Sequence, residues 1–550
     1  MRRILFGSSI AAVAGVLILF AAPATLAPVA AANALPVRSP VGVNLDGVAA
    51  WSPQLPFVNV MKASTDWISG DGSRWDNGLP LDLDPSGWVR SLVPGQVARK
   101  LMLREIGTNY PAGRYLVRYQ GEGILNFGFA AKVISRAPGK MVLEVSPESG
   151  GIHLFIESTN PLNYVRDIEI TMAGGICDGD PFTHVPSAKQ CGSRRHLPYA
   201  EHHERILFNP AFAARLRSYS VLRFLDWMRT NNSRSNTWYG RAGVTDASWA
   251  GERGVPLEVM LALANLVGAH PWFTLPHQAD AAFVERFAKT VRQQLRPDLG
   301  VFVEHSNEVW NSQFSQYAYA VQQAKLSDPQ LDNFQYHALR TRSIGAAFAS
   351  ALGEPRVMVV LGAQAGNPWT AAHALDFLAQ RFGASSIGID AVAIAPYLGV
   401  SPTPAEAAKF TGMTLDAFFD HVRGAVLPQA AGWMSAHANI AKQRGLGLIA
   451  YEGGQHMVGI HGAENSDSLN ALFDAFNRDP RIRDLYRSYL DAWKSSGGEL
   501  FVHYTDVGRY NKWGRWGALE YVSQPRESAP KFDALQTFIE LNPPWWKQPR

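Results

Sequence analysis

Several signatures of common chemistries are missing from this chain. Among its 550 residues only two are cysteines, Cys177 and Cys191. Two thiols cannot hold a zinc ion by themselves, although His184 and His196 nearby leave a mixed Cys/His site as an alternative. There is no His-Glu-x-x-His, no Gly-x-Ser-x-Gly elbow and no glycine-rich phosphate loop ahead of a helix. The Gly445-Leu446-Gly447 stretch precedes a strand-like run, which is the wrong context for one. Charge is scarce too. Only 18% of residues are charged and the formal net charge is +4, with no Lys/Arg run, so nothing points to a nucleic-acid partner. A hydrophobic share of 47% is far too high for disorder and suits one large domain plus a module, or several smaller ones.

Long apolar runs are absent except at the start. Arg2 and Arg3 precede an apolar stretch over residues 4–20, and Ala32-Asn33-Ala34 follows as a small-residue cleavage site. This reads as an export signal over residues 1–34. An uncleaved anchor is the alternative, but the stretch is short of the about 20 apolar residues that span a bilayer. The mature protein is therefore expected to be secreted or periplasmic, with no membrane attachment after cleavage. In an oxidising compartment, a disulfide between Cys177 and Cys191 is expected.

What the chain does have is periodicity. A β-branched run at residues 41–45 resembles a first barrel strand. Short alternating runs then follow at 115–119, 124–129, 141–145, 152–156 and 165–172, punctuated by Gly and Pro, as in a β-sandwich. Beyond residue 205 the texture changes. Near-continuous apolar runs at 221–225, 272–275, 301–305, 357–361, 391–395, 448–451 and 500–504 alternate with amphipathic stretches at 257–267, 281–294, 336–352, 371–380 and 469–493. Seven such units, plus the run at 41, make eight. The expected fold is α/β: a (β/α)8 barrel with an inserted or N-terminal β-sandwich module. The expected divisions are 38–80 for the first strand and linker, 81–175 for the sandwich and 205–541 for the barrel. Residues 542–550 read as a tail.

In such a barrel, reactive groups stand at the C-terminal ends of the strands. The fourth run ends in Asn307-Glu308. The seventh ends in Glu452-Gly453-Gly454. Two rigidly held carboxylates at one barrel mouth can divide the acid and nucleophile roles across a glycosidic bond, with their environments separating their pKa values. The bland alternative is that each glutamate only pairs with an arginine.

Here the chain resembles the clan A glycoside hydrolases, the cellulase-like retaining barrels, over the strand order from about 205 to 540 and in two motifs. Glu304-His305-Ser306-Asn307-Glu308 looks like their Glu-x-x-Asn-Glu form, with Val309 replacing the usual proline. The resemblance implies Glu308 as acid/base and Glu452 as nucleophile. It also implies Asn307 on the hydroxyl beside the reacting carbon, Arg223 keeping the nucleophile ionised, Tyr397 hydrogen-bonded to it and His277 on the sugar. Arg223 would pair equally well with Glu304, which shares strand parity with Glu308. Trp310, Trp369, Trp513 and Trp516 on presumed loops are candidate sugar platforms, as are Trp238, Tyr239 and Trp249 in the loop over 231–254. Core packing is the competing role for each. The expected function is hydrolysis of a poly- or oligosaccharide by double displacement, without a cofactor. A carbohydrate-binding barrel that has lost catalysis is the alternative. A metal-dependent hydrolase built on His277, His503 and Asp506 lacks paired histidines at ligand spacing. Nothing in the sequence bears on oligomeric state.

Overall fold

The computed structural model describes residues 39–549; the presumed export signal lies outside the described residues. Eight parallel strands close into a barrel in chain order. They are β1 (Val41–Asn44), β2 (Val221–Arg223), β3 (His270–Leu275), β4 (Val301–His305), β5 (Val357–Gly362), β6 (Ala391–Ile394), β7 (Gly447–Ala450) and β8 (Phe501–His503). Closure is made by β1, which pairs with β2 through Val43 and Leu222 and with β8 through Val41 and Phe501. The expected barrel is thus present.

Strand alternation explains what faces where. Val221, Trp272, Phe302, Val360, Ala393, Ile449 and Val502 fill the barrel interior. Their neighbours Leu222, Phe273, Val301, Val303 and Leu448 pack outward under the helices. On β4 the inward parity of Phe302 carries Glu304 inward as well. On β2 the parity of Val221 does the same for Arg223. Gly42 on β1 is needed because a Cβ there would stand 2.9 Å from the Val221 Cβ. The tail also proves structural. Trp546 packs against Phe302 and His270 under the barrel, and its Nε1 donates to the Ser39 carbonyl at 2.9 Å.

The helices Leu257–Val267 and Ala281–Gln294 match the amphipathic periods. The stretch 469–493 instead forms two helices, Asp467–Arg478 and Ile482–Ser495. Pro480 causes the break, since it has no N–H and restricts the residue before it.

Between β1 and β2 lie two antiparallel four-stranded sheets, so they form an insertion in the barrel's chain order. One consists of Ile68–Gly70, Val97–Met102, Ile152–Thr159 and Gly123–Phe129; the other of Arg166–Thr171, Gly113–Gln120, Lys140–Val145 and Ala131–Ala137. Their apolar faces, with Leu125, Leu154, Val117 and Leu143 all buried, share one core. The first sheet reaches back to Ile68, upstream of the expected start at 81. Cys177 and Cys191 are bonded to each other, so neither thiolate is free for a mixed metal site. No helix among the described residues is long and apolar enough to cross a membrane.

Candidate active site

The end of β4 is bent sharply. Ser306 and Glu308 both adopt left-handed backbone, with φ of 57° and 42°, on either side of Asn307. Such residues cost on the order of 1 kcal/mol each and persist where surrounding contacts over-determine them. The bend delivers the Glu308 carboxylate to two neutral donors. Tyr451 OH donates to Oε1 at 2.9 Å and Asn311 Nδ2 to Oε2 at 3.0 Å.

Glu452 follows β7 directly. Its Oε1 accepts from Arg223 Nη1 at 2.9 Å and its Oε2 from Tyr397 OH at 3.0 Å. The two glycines behind it make room for β8. A Cβ on Gly453 would meet the Phe501 ring at 2.3 Å, and one on Gly454, at φ 130°, would meet His503 Nε2 at 2.9 Å.

Arg223 is fully buried and serves both sides of the site. Its Nε and Nη2 donate to Glu304 Oε2 at 3.2 and 3.0 Å, while Nη1 holds Glu452. The same guanidinium donates to Asn44 Oδ1 at 3.1 Å and to Asn307 Oδ1 at 3.0 Å. The two possible partners read from the sequence, Glu304 and the β7 glutamate, are therefore both taken. Against its burial, those two carboxylates hold Arg223 above its ordinary range.

The electrostatics leave a proton to be placed. Burial pushes Glu452 up to about 8; Arg223 pulls it down and the Glu308 charge pushes it further up. Tyr397 and Tyr451 are likewise raised, first by burial and then by the adjacent glutamates, so both remain hydroxyl donors.

Two depressions flank this centre. A cavity of about 510 Å³ is lined by Glu308, Trp310, Asn311, Tyr397, Trp433, Tyr451 and His456, among others. A second, of about 310 Å³, is lined by Asp46, Trp51, Asp226, Tyr504, Trp513 and Trp516. Trp516 stands between them, its ring 5.6 Å from His456 and 5.9 Å from Tyr504. Trp310 and Trp513 thus lie at the mouth but in different depressions.

Other expected contacts are placed differently. His277 lines neither depression. Its ring is buried edge-on against Tyr319 at 5.0 Å, and burial pushes it down to about 4, so it is neutral. At 1% exposure, little of this side chain is open to a ligand. Asn307 already spends its Nδ2 on Asn231 Oδ1 at 3.1 Å. Trp249 is core, packed on Phe57 at 4.9 Å, and Trp238 packs on Phe283. Tyr239 stands exposed beside Arg286, and Trp369 stacks on His373. Sequence reasoning missed Tyr451, Asn311, Trp433 and His456. For Tyr451 a signal existed, since it shares inward parity with Ile449. Of the other three, Asn311 sits on a loop, Trp433 on the helix Leu427–Gln443 and His456 on the three-residue strand Gln455–Met457, none with a periodic mark. No group of three or more His, Cys, Asp or Glu able to hold a metal occurs among the described residues.

No protein-family model matches this chain, and no curated protein matches it. Solved structures to which it is similar include a fungal beta-1,4-galactanase at 12% identity, with 59% of this chain and 91% of that chain covered and a TM-score of 0.34. An endo-beta-1,4-mannanase from Thermotoga petrophila aligns at 12% identity over 60% of this chain and 72% of that one, with a TM-score of 0.32. A thermostable mutant of a xylanase from Cellvibrio japonicus aligns at 10% identity over 59% and 90%, with a TM-score of 0.33. Likenesses this distant carry no argument about chemistry. The barrel rests on its own strand pairing and the site on its own geometry.

Proposed function

We propose that the protein is an exported retaining glycoside hydrolase of the clan A type, acting on a poly- or oligosaccharide. The observation that carries this reading is the unequal treatment of two neighbouring carboxylates at the ends of β4 and β7. Glu452 receives a cationic donor, Arg223, while Glu308 receives only neutral ones, Tyr451 and Asn311. A charged donor favours the ionised form. Glu452 is therefore the member of the pair equipped to react as a carboxylate, and the proton that burial favours on it must leave before it attacks.

The chemistry follows. Glu308 gives its proton to the glycosidic oxygen as that bond breaks. Glu452 attacks the anomeric carbon from the opposite face and forms a glycosyl ester. Glu308, now ionised, takes a proton from water, whose oxygen displaces Glu452 and releases the sugar with its original anomeric configuration. Arg223 and Tyr397 stabilise Glu452 each time it leaves as a carboxylate. The two depressions are suited to sugar on either side of the scissile bond, with Trp310 and Trp513 as platforms. No cofactor enters these steps.

The test is a polysaccharide and aryl-glycoside panel run with wild type and Glu452→Gln. Turnover by wild type and none by the folded variant is expected. Binding without turnover by wild type would leave a carbohydrate-binding protein instead.

A further inference from the structure

Glu304 takes no part in the steps above, yet it is the most heavily engaged carboxylate of the site. It is 1% exposed, and one of its oxygens, Oε2, accepts three N–H groups. Two come from Arg223, Nε at 3.2 Å and Nη2 at 3.0 Å, and the third from Trp272 Nε1 at 2.9 Å. Burial raises Glu304, and the Arg223 charge and these hydrogen bonds oppose that. A planar guanidinium gripped at Nε and Nη2 has no rotational freedom left. Its remaining edge, Nη1, is thereby aimed at Glu452 Oε1, and its Nη2 also reaches Asn307 Oδ1.

We propose that Glu304 is a positioning residue for the nucleophile, acting through Arg223: it fixes the plane of the guanidinium and, by sharing its charge, sets how strongly that guanidinium holds Glu452 ionised. The inference rests on the reading of Glu452 as nucleophile. One cation serves two buried carboxylates, so what Glu304 draws is withdrawn from Glu452. The other groups that face Glu452 are Glu308, Tyr397, Tyr451, Tyr504 and Asp226. None of these competes for Arg223 by a direct hydrogen bond. Asn44, the remaining partner of Arg223, is neutral.

Glu304→Gln separates the two parts of the role. The amide oxygen can still accept from Arg223 and Trp272, so the plane is kept, but the competing charge is gone. The readout is the acid limb of kcat/KM against pH, on the 4-nitrophenyl glycoside that wild type turns over fastest. For Glu304→Gln this limb moves to lower pH by about one unit, with the plateau kcat within about tenfold of wild type. Should that variant not fold, Trp272→Phe serves. It strips one donor from Glu304, whose charge then draws harder on Arg223, so the limb moves to higher pH. A limb that stays in place in the folded variant, whatever the plateau does, overturns the proposal, since a merely structural role lowers kcat without moving it. The nucleophile reading fails by a different result, namely turnover retained in Glu452→Gln.

Discussion

Replacing Glu452 by glutamine should make stability less sensitive to pH. Glu452 has a folded value of about 8 against an ordinary 4.5, chiefly because it is buried. A carboxyl raised on folding binds its proton more tightly in the folded state. Its stabilising contribution is therefore complete below about pH 4.5 and is lost as pH climbs towards 8. Each pH unit within that window costs about 1.4 kcal/mol, so wild type loses about 4 kcal/mol between pH 5 and pH 8 on this account. Glutamine has the same shape and no proton to lose. Arg223 remains paired with Glu304 at 3.0 Å, so the substitution strands no buried cation. Other raised carboxyls, such as Asp506 at about 6, titrate in both proteins and cancel in the comparison. The assay is thermal unfolding of both proteins from pH 5 to pH 8. The Tm of Glu452→Gln should gain on wild type as pH rises, by about 2 °C for each kcal/mol. A Tm difference, variant minus wild type, that stays constant or falls as pH rises would refute the premise that burial dominates at Glu452.

Three further outcomes are expected. Glu308→Ala should lose most activity on substrates with poor leaving groups and regain part of it with azide on an activated aryl glycoside, read as a glycosyl azide product. Because the Glu308 charge pushes Glu452 up, Glu308→Gln should move the acid limb of kcat/KM for such an activated substrate to lower pH. Opening the Cys177–Cys191 bond, which spans 14 residues, should cost about 3 kcal/mol in the stability of the region it closes while leaving kcat unchanged; a reduced protein with altered kcat would tie that loop to the site.

Most of the barrel was legible because parallel strands covered by helices are apolar on both faces, and such runs stand out even at four residues, as Val41–Asn44 shows. Short strands with mixed faces, Ile68–Gly70 and Ala131–Ala137, left no such mark. The helix Ser315–Ser327 escaped notice because its sequence has only a weak apolar stripe. At the site, strand ends located Glu308 and Glu452 and parity located Glu304, whereas Arg223 and Tyr397 came from the resemblance to the clan A barrels. The sharing of Arg223 between Glu304 and Glu452 was beyond periodicity, since it depends on one side chain reaching across the barrel from β2 to β4 and β7. His277 follows an apolar strand just as Glu452 does, yet it turns into a contact with Tyr319. Position at a strand end therefore brings a side chain to the mouth without deciding whether it faces the cleft.

The central claim is that Glu452 becomes covalently bonded to the sugar. Once the panel has shown which sugar is turned over, its activated 2-deoxy-2-fluoro glycoside should slow the second displacement more than the first and trap the ester. Peptide mapping by mass spectrometry of the inactivated protein should then find one added glycosyl residue, carried on Glu452. An adduct on Glu308, or no adduct together with an inverted product, would contradict the account.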